Sequence, residues 1–320
     1  MTEFRFGVMN FTRSPYDELS HRIRDAEAMG FDSAWVDDDI LTPGYVDLEA
    51  WTLLGALARD TSRIQIGTMV TVTSFRNPAI LASQVLTVDR ISGGRVAFGF
   101  GAGGPPNNYA ALGLHDWTPG ERADRLDEQA AIIGAMLRGE RVDFQGKHYQ
   151  IEGAQAGVPV QKPRPPFVIA AHGERGLRTV ARYADGWNTL GGQPYPAAQD
   201  PSKRLTLAES IASTRRLTER LRVICEEERR DFSTIRRSIM VYRTLDDPLS
   251  SLGAFDEYVG GYRELGIEEI IFYWPPQDNV FPKDSDTAKA PFTFGVSKPL
   301  SSQQTAMFEH IVAERISNRA

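Results

Sequence analysis

The sequence predicts an α/β chain closed as a (β/α)8 TIM barrel, on three observations. Apolar runs of strand length alternate with amphipathic helices through most of the 320 residues. Strands joined through helices run parallel, because each crossover returns the chain to the same end. Eight such strand–helix units can be read, and a barrel of this kind takes about 250 residues before insertions. A doubly wound open sheet is the structural alternative at this point. An apolar content of 41% is enough for a sizeable core, and a single domain over residues 1–320 is expected.

The elements follow in order. Phe4–Asn10 is strand one. Ser14 caps the next helix with Pro15 at its first position. Leu19, Ile23, Ala26 and Met29 recur there at helical spacing, and Gly30 stops it. "DSAWVD" is strand two and "DLEAWTLLGALARD" its helix. "RIQIGTMVTV" is strand three, one continuous run. Asn77 and Pro78 open the helix "AILASQVLTVDRI", apolar on most sides and therefore packed on most sides. "GGRVAFGFG" is strand four, and a longer loop, Ala102–Trp117, follows it. Thr118 with Glu121 predicts a capping box for a helix through Leu137. An insertion over 139–166 then interrupts the alternation, with "VDFQGKHYQIEG" as its hairpin. "PFVIAA" is strand five and "ERGLRTVARYA" its helix. "DGWNTLG" is strand six, and Ser202–Arg230 a long charged helix. "RSIMVYRTL" is strand seven, with a helix over Leu252–Leu265. "EEIIFYW" is strand eight, and Gln303–Ile316 the last helix. Residues 275–300 lack periodicity. A loop that long after strand eight is expected as a lid over the barrel mouth.

Composition narrows the function. Net charge is −6, with no long basic run and no aromatic–basic interleaving, so nucleic acid is not an expected partner. The one cysteine, Cys225, excludes an internal disulfide framework. "MTEFRFGVMNFTRS" lacks the basic and apolar regions of a signal peptide, and no apolar run approaches the roughly 20 residues of a membrane span. A cytoplasmic location and no membrane partner are expected.

In such a barrel the chemistry gathers at the C-terminal strand ends. Here those are Asn10, Asp37–Asp39, Val70–Ser74, Gly101–Gly104, Ala171–Gly173, Leu190–Gln193, Arg243 and Tyr273–Trp274. Two of them, "GFGAGG" and "AAHGERG", are rich in glycine. Glycine lets backbone N–H groups approach an anion, and a helix N-terminus adds favourable partial charge, so these ends form either a phosphate cradle or tight turns at the rim. Of the five histidines only His172 falls at a strand end, and there is no "HxH", so a zinc site is unsupported. An all-carboxylate magnesium site at Asp37–Asp39 would need acids from other strand ends, which supply none. No metal is expected. Alternation along strand two points Asp37 and Asp39 to one side and Asp38 to the other. Phe75, Tyr109, Trp187, Tyr273 and Trp274 make the mouth aromatic, with Trp187 assigned to the core. Phosphate-binding glycines, apolar walls and few acids suit a planar cofactor that carries its own chemistry.

Two long stretches, "RIQIGTMVTVTSFRNPAILASQVLTVDRISGGRVAFGFGAGG" and "FQGKHYQIEGA…VPVQKPRPPFVIAAHGERGLRTVARYADGWN", resemble the luciferase-like (bacterial luciferase) superfamily of flavin- and deazaflavin-dependent oxidoreductases. The resemblance is dense from Phe4 to Leu190 and architectural beyond. Within the superfamily, "DLEAWTLLGALARDTSRIQIGTMVTVTSFRNPAILA" and "GERGLRTVARYADGWN" look most like the branch using coenzyme F420, a deazaflavin.

This resemblance implies the barrel with a helix–hairpin insertion before strand five, a homodimer, and hydride transfer between F420 and a small organic substrate. The alternative on the same scaffold is an FMN-dependent monooxygenase using reduced flavin and O2, supplied by a partner flavin reductase. A catalytically silent flavin-binding relative is the alternative of another class. The resemblance places the cofactor phosphate near Gly101, Ala102 and Gly103, and near Ala171, His172, Gly173 and Glu174. The ring would lie over Met69, Val70 and Thr71, with a non-prolyl cis peptide at Met69–Val70. Asp38 matches the family's acidic position beside the ring. Asp39 stands where deazaflavin relatives often carry histidine, and is the candidate proton donor. Gly104 stands where sugar-phosphate dehydrogenase relatives carry an acid, which argues against that reaction. Tyr109 is a candidate cofactor contact, and Asn10 and Trp274 are candidate substrate contacts.

Overall fold

The structure is a computed structural model, and it describes residues 4–41, 46–103, 109–192, 205–240, 244–273, 277–278, 298–299 and 302–317. Its strands are β1 (Arg5–Asn10), β2 (Ser33–Val36), β3 (Gln65–Thr68), β4 (Thr71–Val72), β5 (Val96–Gly101), β6 (Val142–Gln145), β7 (Gln150–Ala154), β8 (Phe167–Ala170), β9 (Gly186–Thr189), β10 (Arg236–Met240), β11 (Glu269–Tyr273), β12 (Gln277–Asp278) and β13 (Lys298–Pro299). The helices are α1 (Tyr16–Ala28), α2 (Ala50–Asp60), α3 (Pro78–Ser92), α4 (Pro119–Leu137), α5 (Glu174–Tyr183), α6 (Leu207–Glu227), α7 (Leu252–Arg263) and α8 (Ser302–Ile311).

Eight parallel strands, β1, β2, β3, β5, β8, β9, β10 and β11, pair in that order. β11 returns to β1 and closes the ring, with Arg5 opposite Glu269 and Met9 opposite Tyr273. Closure removes the open-sheet alternative, since no edge is left for it. The pleat sorts side chains into two cores. Outward residues such as Phe6, Val8, Val36, Ile66, Phe98, Phe100, Phe167 and Ile270 pack against the helices. Inward residues Met9, Trp35, Met69, Ala97, Leu190, Met240 and Ile271 form a separate apolar cluster in the lumen. Below it a polar layer is satisfied internally: Ser33 Oγ donates to Glu269 Oε1 at 2.5 Å, and Trp35 Nε1 donates to Ser33 Oγ at 2.8 Å.

Five local expectations change. Ser14 does not cap α1, because its hydroxyl accepts from Arg22 Nη2 at 2.5 Å and Pro15 takes the cap position. Strand three is not continuous: a cis Met69–Val70 peptide, implied by the resemblance, separates β3 from β4. Thr118 accepts the Glu121 amide, but the Glu121 carboxylate turns to Arg125, so α4 has only half of a capping box. The complete box is Thr206–Glu209, which starts α6 at Leu207 instead of Ser202. The last helix is α-helical only to Ile311 and continues as a π-helical stretch, Val312–Ser317.

The insertion does carry its hairpin, β6 against β7. Its turn is fastened to α4 by Glu128, whose carboxylate accepts the amides of Lys147, His148 and Tyr149 at 2.8 to 3.0 Å. Of the expected lid over 275–300, only the short β12–β13 ladder is described. The rest of it, and Trp274, Gly104 and Arg243, lie outside the described residues.

Candidate active site

β3 packs tightly against β5 up to its C-terminal end. A Cβ on Gly99 would lie 1.8 Å from the Thr68 carbonyl oxygen, and one on Gly67 would lie 2.2 Å from the Ala97 carbonyl oxygen. A Cβ on Gly101 would meet Val70 Cγ2 at 2.7 Å. Gly99 and Gly101, in the run read as a phosphate cradle, are thus glycine because β3 and its bulge press against β5. Gly103, at φ +69°, is a true left-handed turn position, with Ala102 beside it. The bulge is also pinned by a chain of hydroxyls. Trp51 Nε1 donates to Thr71 Oγ1 at 3.1 Å, Thr71 to Thr68 Oγ1 at 2.8 Å, and Thr68 to the Gly99 carbonyl at 2.8 Å. Farther along, Gln129 Nε2 on α4 donates to the Thr73 carbonyl at 2.8 Å and to the Tyr149 hydroxyl at 2.5 Å.

The aspartate run divides as the pleat requires. Asp38 continues the outward parity of Ala34 and Val36. Arg76 donates from Nη1 to its Oδ2 and from Nη2 to its Oδ1, and the Val72 amide donates to Oδ2 at 3.0 Å. Burial pushes this carboxyl above its ordinary value, and Arg76 pulls against that shift. With both oxygens engaged, Asp38 is a positioning residue that ties β2 to β4; it is not an open acid at a ring. Asp37 and Asp39 continue the inward parity of Ser33 and Trp35 and turn to Arg13. Arg13 also reaches Asp47 at 3.4 Å. Burial raises both carboxyls, each opposed by Arg13. Among the described residues no group of three metal-ligating side chains is suited to hold an ion.

At the end of β8, the Ala171 carbonyl accepts Trp187 Nε1 at 2.8 Å, which confirms Trp187 as core. His172 Nε2 accepts the Leu190 amide at 3.1 Å and lies 3.1 Å from Thr189 Oγ1. Burial pushes this imidazole down to about 4, so it is neutral at physiological pH. The accepting Nε2 leaves the proton on Nδ1. Gly173 is the N-cap of α5, has no side-chain cap, and has open space around the position of a Cβ. By contrast α2, α3, α4, α6 and α7 are capped by Glu49, Asn77, Thr118, Thr206 and Ser251. An uncapped helix start is suited to an anion. The Glu174 side chain does not contribute to it, because Arg220 and Arg178 take its carboxylate on the outer surface.

The remaining candidates separate. Tyr109 is buried, with its ring edge against Phe75 and its hydroxyl accepting from Ser74 at 3.1 Å. Asn10 pairs with Val36 and shares the outward parity of Val8, so it is not brought to the lumen. Its amide is fully buried, and neither atom has a partner among the described residues. Sequence reasoning missed part of the floor of the site: Met9 and Met240 close the lumen beside Met69 and the strand-end Leu190, with Val70 and Tyr273 packed on them. Phe11 stacks on Tyr273, ring centroids 5.3 Å apart. It also missed Arg13 and Arg76. Inward parity at each strand end was the available signal for the floor, but nothing local marked the two arginines. An apolar floor, a bulge over it and an uncapped helix start together fit a planar ring carrying a phosphate-bearing tail.

Residues 1–231 match the family model described as luciferase-like monooxygenase. The chain belongs to that family. Among relatives of the luciferase-like family, the chain is 34% identical over 184 residues to an F420-dependent glucose-6-phosphate dehydrogenase of Amycolatopsis mediterranei, covering 56% of this chain and 54% of the relative. It is 31% identical over 183 residues to a 5,10-methylenetetrahydromethanopterin reductase of Archaeoglobus fulgidus, covering 57% and 52%. The chain thus spans about half the length of the curated relatives it matches. In structure it is similar to the coenzyme F420-dependent tetrahydromethanopterin reductase of Methanopyrus kandleri, with a TM-score of 0.68 and 18% identity over 85% of this chain and 94% of that one. This last likeness supports the barrel fold.

Proposed function

We propose that this luciferase-like protein is an oxidoreductase exchanging hydride between coenzyme F420 and a small organic substrate. The observation that carries the reading is the combination of an apolar lumen floor with an uncapped α5 start at the same end of the barrel. The F420-dependent relatives support the choice of cofactor. Bound there, the deazaflavin would supply a ring carbon that accepts or gives up hydride.

The chain's own residues then have separable tasks. Met9, Met69, Leu190 and Met240 exclude water beneath the ring. The Met69–Val70 bulge, fixed by Thr68 and Thr71, would support the ring, and Gln129 holds the backbone just beyond it at Thr73. The amides of Gly173 and Glu174, the turn at Ala102 and Gly103, and the Nδ1 proton of His172 would hold the phosphate. Asp38, through Arg76, keeps β4 in place. A homodimeric, cytoplasmic enzyme belongs to the same proposal, as does a lid formed by the segment after β11.

Fluorescence quenching with oxidised F420 and, separately, FMN tests it. Micromolar F420 binding is expected. Binding of FMN alone would replace it with the FMN-dependent monooxygenase and its partner reductase. Cofactor binding without turnover of any substrate in a panel would leave a silent relative.

A further inference from the structure

The starts of the barrel strands enclose a cavity at the end opposite the candidate mouth. Because the strands are parallel, Arg5 at the start of β1, Asp32 before β2, Gln65 at the start of β3 and Arg95 before β5 share one face. The cavity measures about 460 Å³, an ordinary size for a small-molecule site. Arg63 lines it from the loop before β3, and Ser317 from the end of the π-helical stretch. Such stretches are rare and occur often at functional sites. Ser317 Oγ donates to the Met29 carbonyl at 2.6 Å, which holds the stretch against the end of α1.

The wall keeps hydrogen-bond donors in reserve. The Asp32 carbonyl takes the Gln65 amide at 3.1 Å and Arg5 Nη2 at 3.3 Å, and Asp32 Oδ2 takes the Phe6 amide at 2.8 Å. Arg5 Nη2 also donates to Gln65 Oε1 at 2.9 Å, which orients that amide and leaves Nε2 as a donor. Arg63 Nη2 donates to the Glu27 carbonyl. Arg5 Nη1, Gln65 Nε2, and Nε and Nη1 of Arg63 make no hydrogen bond among the described residues. Arg95 adds charge alone, since its guanidinium donors all go to Ala58, Thr61, Ile64 and Ser92. Three arginines thus line the cavity against one carboxylate, Asp32. Glu27 and Glu269 lie behind the wall without lining it. Glu27 accepts the amides of Ser62, Arg63 and Ile64; Glu269 accepts Ser33 Oγ and stands 3.9 Å from Arg5 Nε. A partner for this wall must bring acceptors and negative charge.

We propose that this cavity binds a small polar molecule through an oxyanion, a phosphate or carboxylate group, held by Arg5, Gln65 and Arg63. Guanidinium forks suit either group. At about 30 Å³ for each water the cavity has the volume of roughly 15 waters, so the oxyanion is carried on an organic body. The ligand ties the starts of β1 and β3 to the end of α1 and to the π-helical stretch, and stabilises the fold without entering the mouth. The site is independent of the hydride-transfer reading, and either can fail without the other.

Isothermal titration calorimetry of the full chain at constant ionic strength tests the site, with citrate and glycerol phosphate as probes. Saturable binding of at least one probe is expected, and the tighter of the two assigns the group as carboxylate or phosphate. Arg63→Gln removes an exposed guanidinium. Gln65→Glu keeps an acceptor for Arg5 while it replaces the amide donor with a negative charge. Each should weaken binding roughly tenfold or more, the loss of one charge-assisted hydrogen bond. Gly173→Ala, at the other end of the barrel, should leave the affinity unchanged. Absence of saturable heat from both probes in the wild-type protein overturns the proposal without recourse to any variant. Unchanged affinity in either cavity variant also overturns it. Weakening in Gly173→Ala alone moves the anion to the start of α5 and rejects the cavity as its site.

Discussion

Arg76 clasps Asp38 with both terminal nitrogens, Nη1 to Oδ2 at 2.5 Å and Nη2 to Oδ1 at 2.7 Å, at a point where the carboxylate has no solvent exposure. Removing one partner of such a pair leaves the other buried and uncompensated, at a cost of about 3–5 kcal/mol. Asp38→Asn should therefore lower stability to urea by that order. Arg76→Lys should fail to restore it, because an ammonium cannot reproduce the planar fork. A change below about 1 kcal/mol in either variant would contradict a structural role for the pair.

Glycines at two strand ends should respond oppositely to alanine. Gly99→Ala sets a Cβ against the Thr68 carbonyl, a backbone atom that cannot swing aside, and should cost about 3 kcal/mol or more. Gly173→Ala meets open space at a negative φ and should cost under about 1 kcal/mol as a poorer N-cap. Only the second should act mainly on F420 affinity, by narrowing the approach to the α5 amides. Calorimetry and fluorescence titration on both variants separate the two effects.

His172 makes stability depend on pH. Its folded proton affinity falls from the ordinary 6.5 to about 4 through burial, so the unfolded chain binds the proton more tightly. The contribution is fully present above about pH 6.5 and is lost as pH falls through about 4, amounting to roughly 3 kcal/mol across that window. Urea midpoints measured from pH 7 to pH 4 should fall less steeply in His172→Gln than in the wild type.

Gln129 links the hairpin insertion to the bulge. Replacing it with leucine leaves the Thr73 carbonyl and the Tyr149 hydroxyl without their shared donor, at about 1–3 kcal/mol. Hydrogen exchange should quicken over residues 71–75 and in the β6–β7 turn together. Faster exchange in one segment alone would show that the two are not coupled through this side chain.

Much of the fold was legible because it depends on periodicity. Eight apolar runs separated by helices leave few closed topologies, and a period of two divided Asp37 and Asp39 from Asp38 correctly beyond the regular end of β2. The partners of those acids were not legible. Arg13 and Arg76 lie 26 and 38 residues from Asp39 and Asp38 in sequence, and only strand register and loop path bring them in. The break in strand three was hidden because the residues around it, Thr68–Val72, read as one strand-forming run, so only the family resemblance pointed to it. The glycines of "GFGAGG" were ambiguous for a related reason: glycine signals close approach without saying whether the neighbour is a ligand or, as at Gly99 and Gly101, another strand.

That last distinction bears on redesign of the pocket. Gly67, Gly99 and Gly101 form the keel along which two staves of the barrel are fitted, and a library that varies them samples broken scaffolds before it samples new specificities. Met9, Leu190 and Met240 are different, because they meet the lumen through flexible or branched tips. Diversity placed on these floor positions, with the keel left untouched, reshapes the space above it while the hull stays sound.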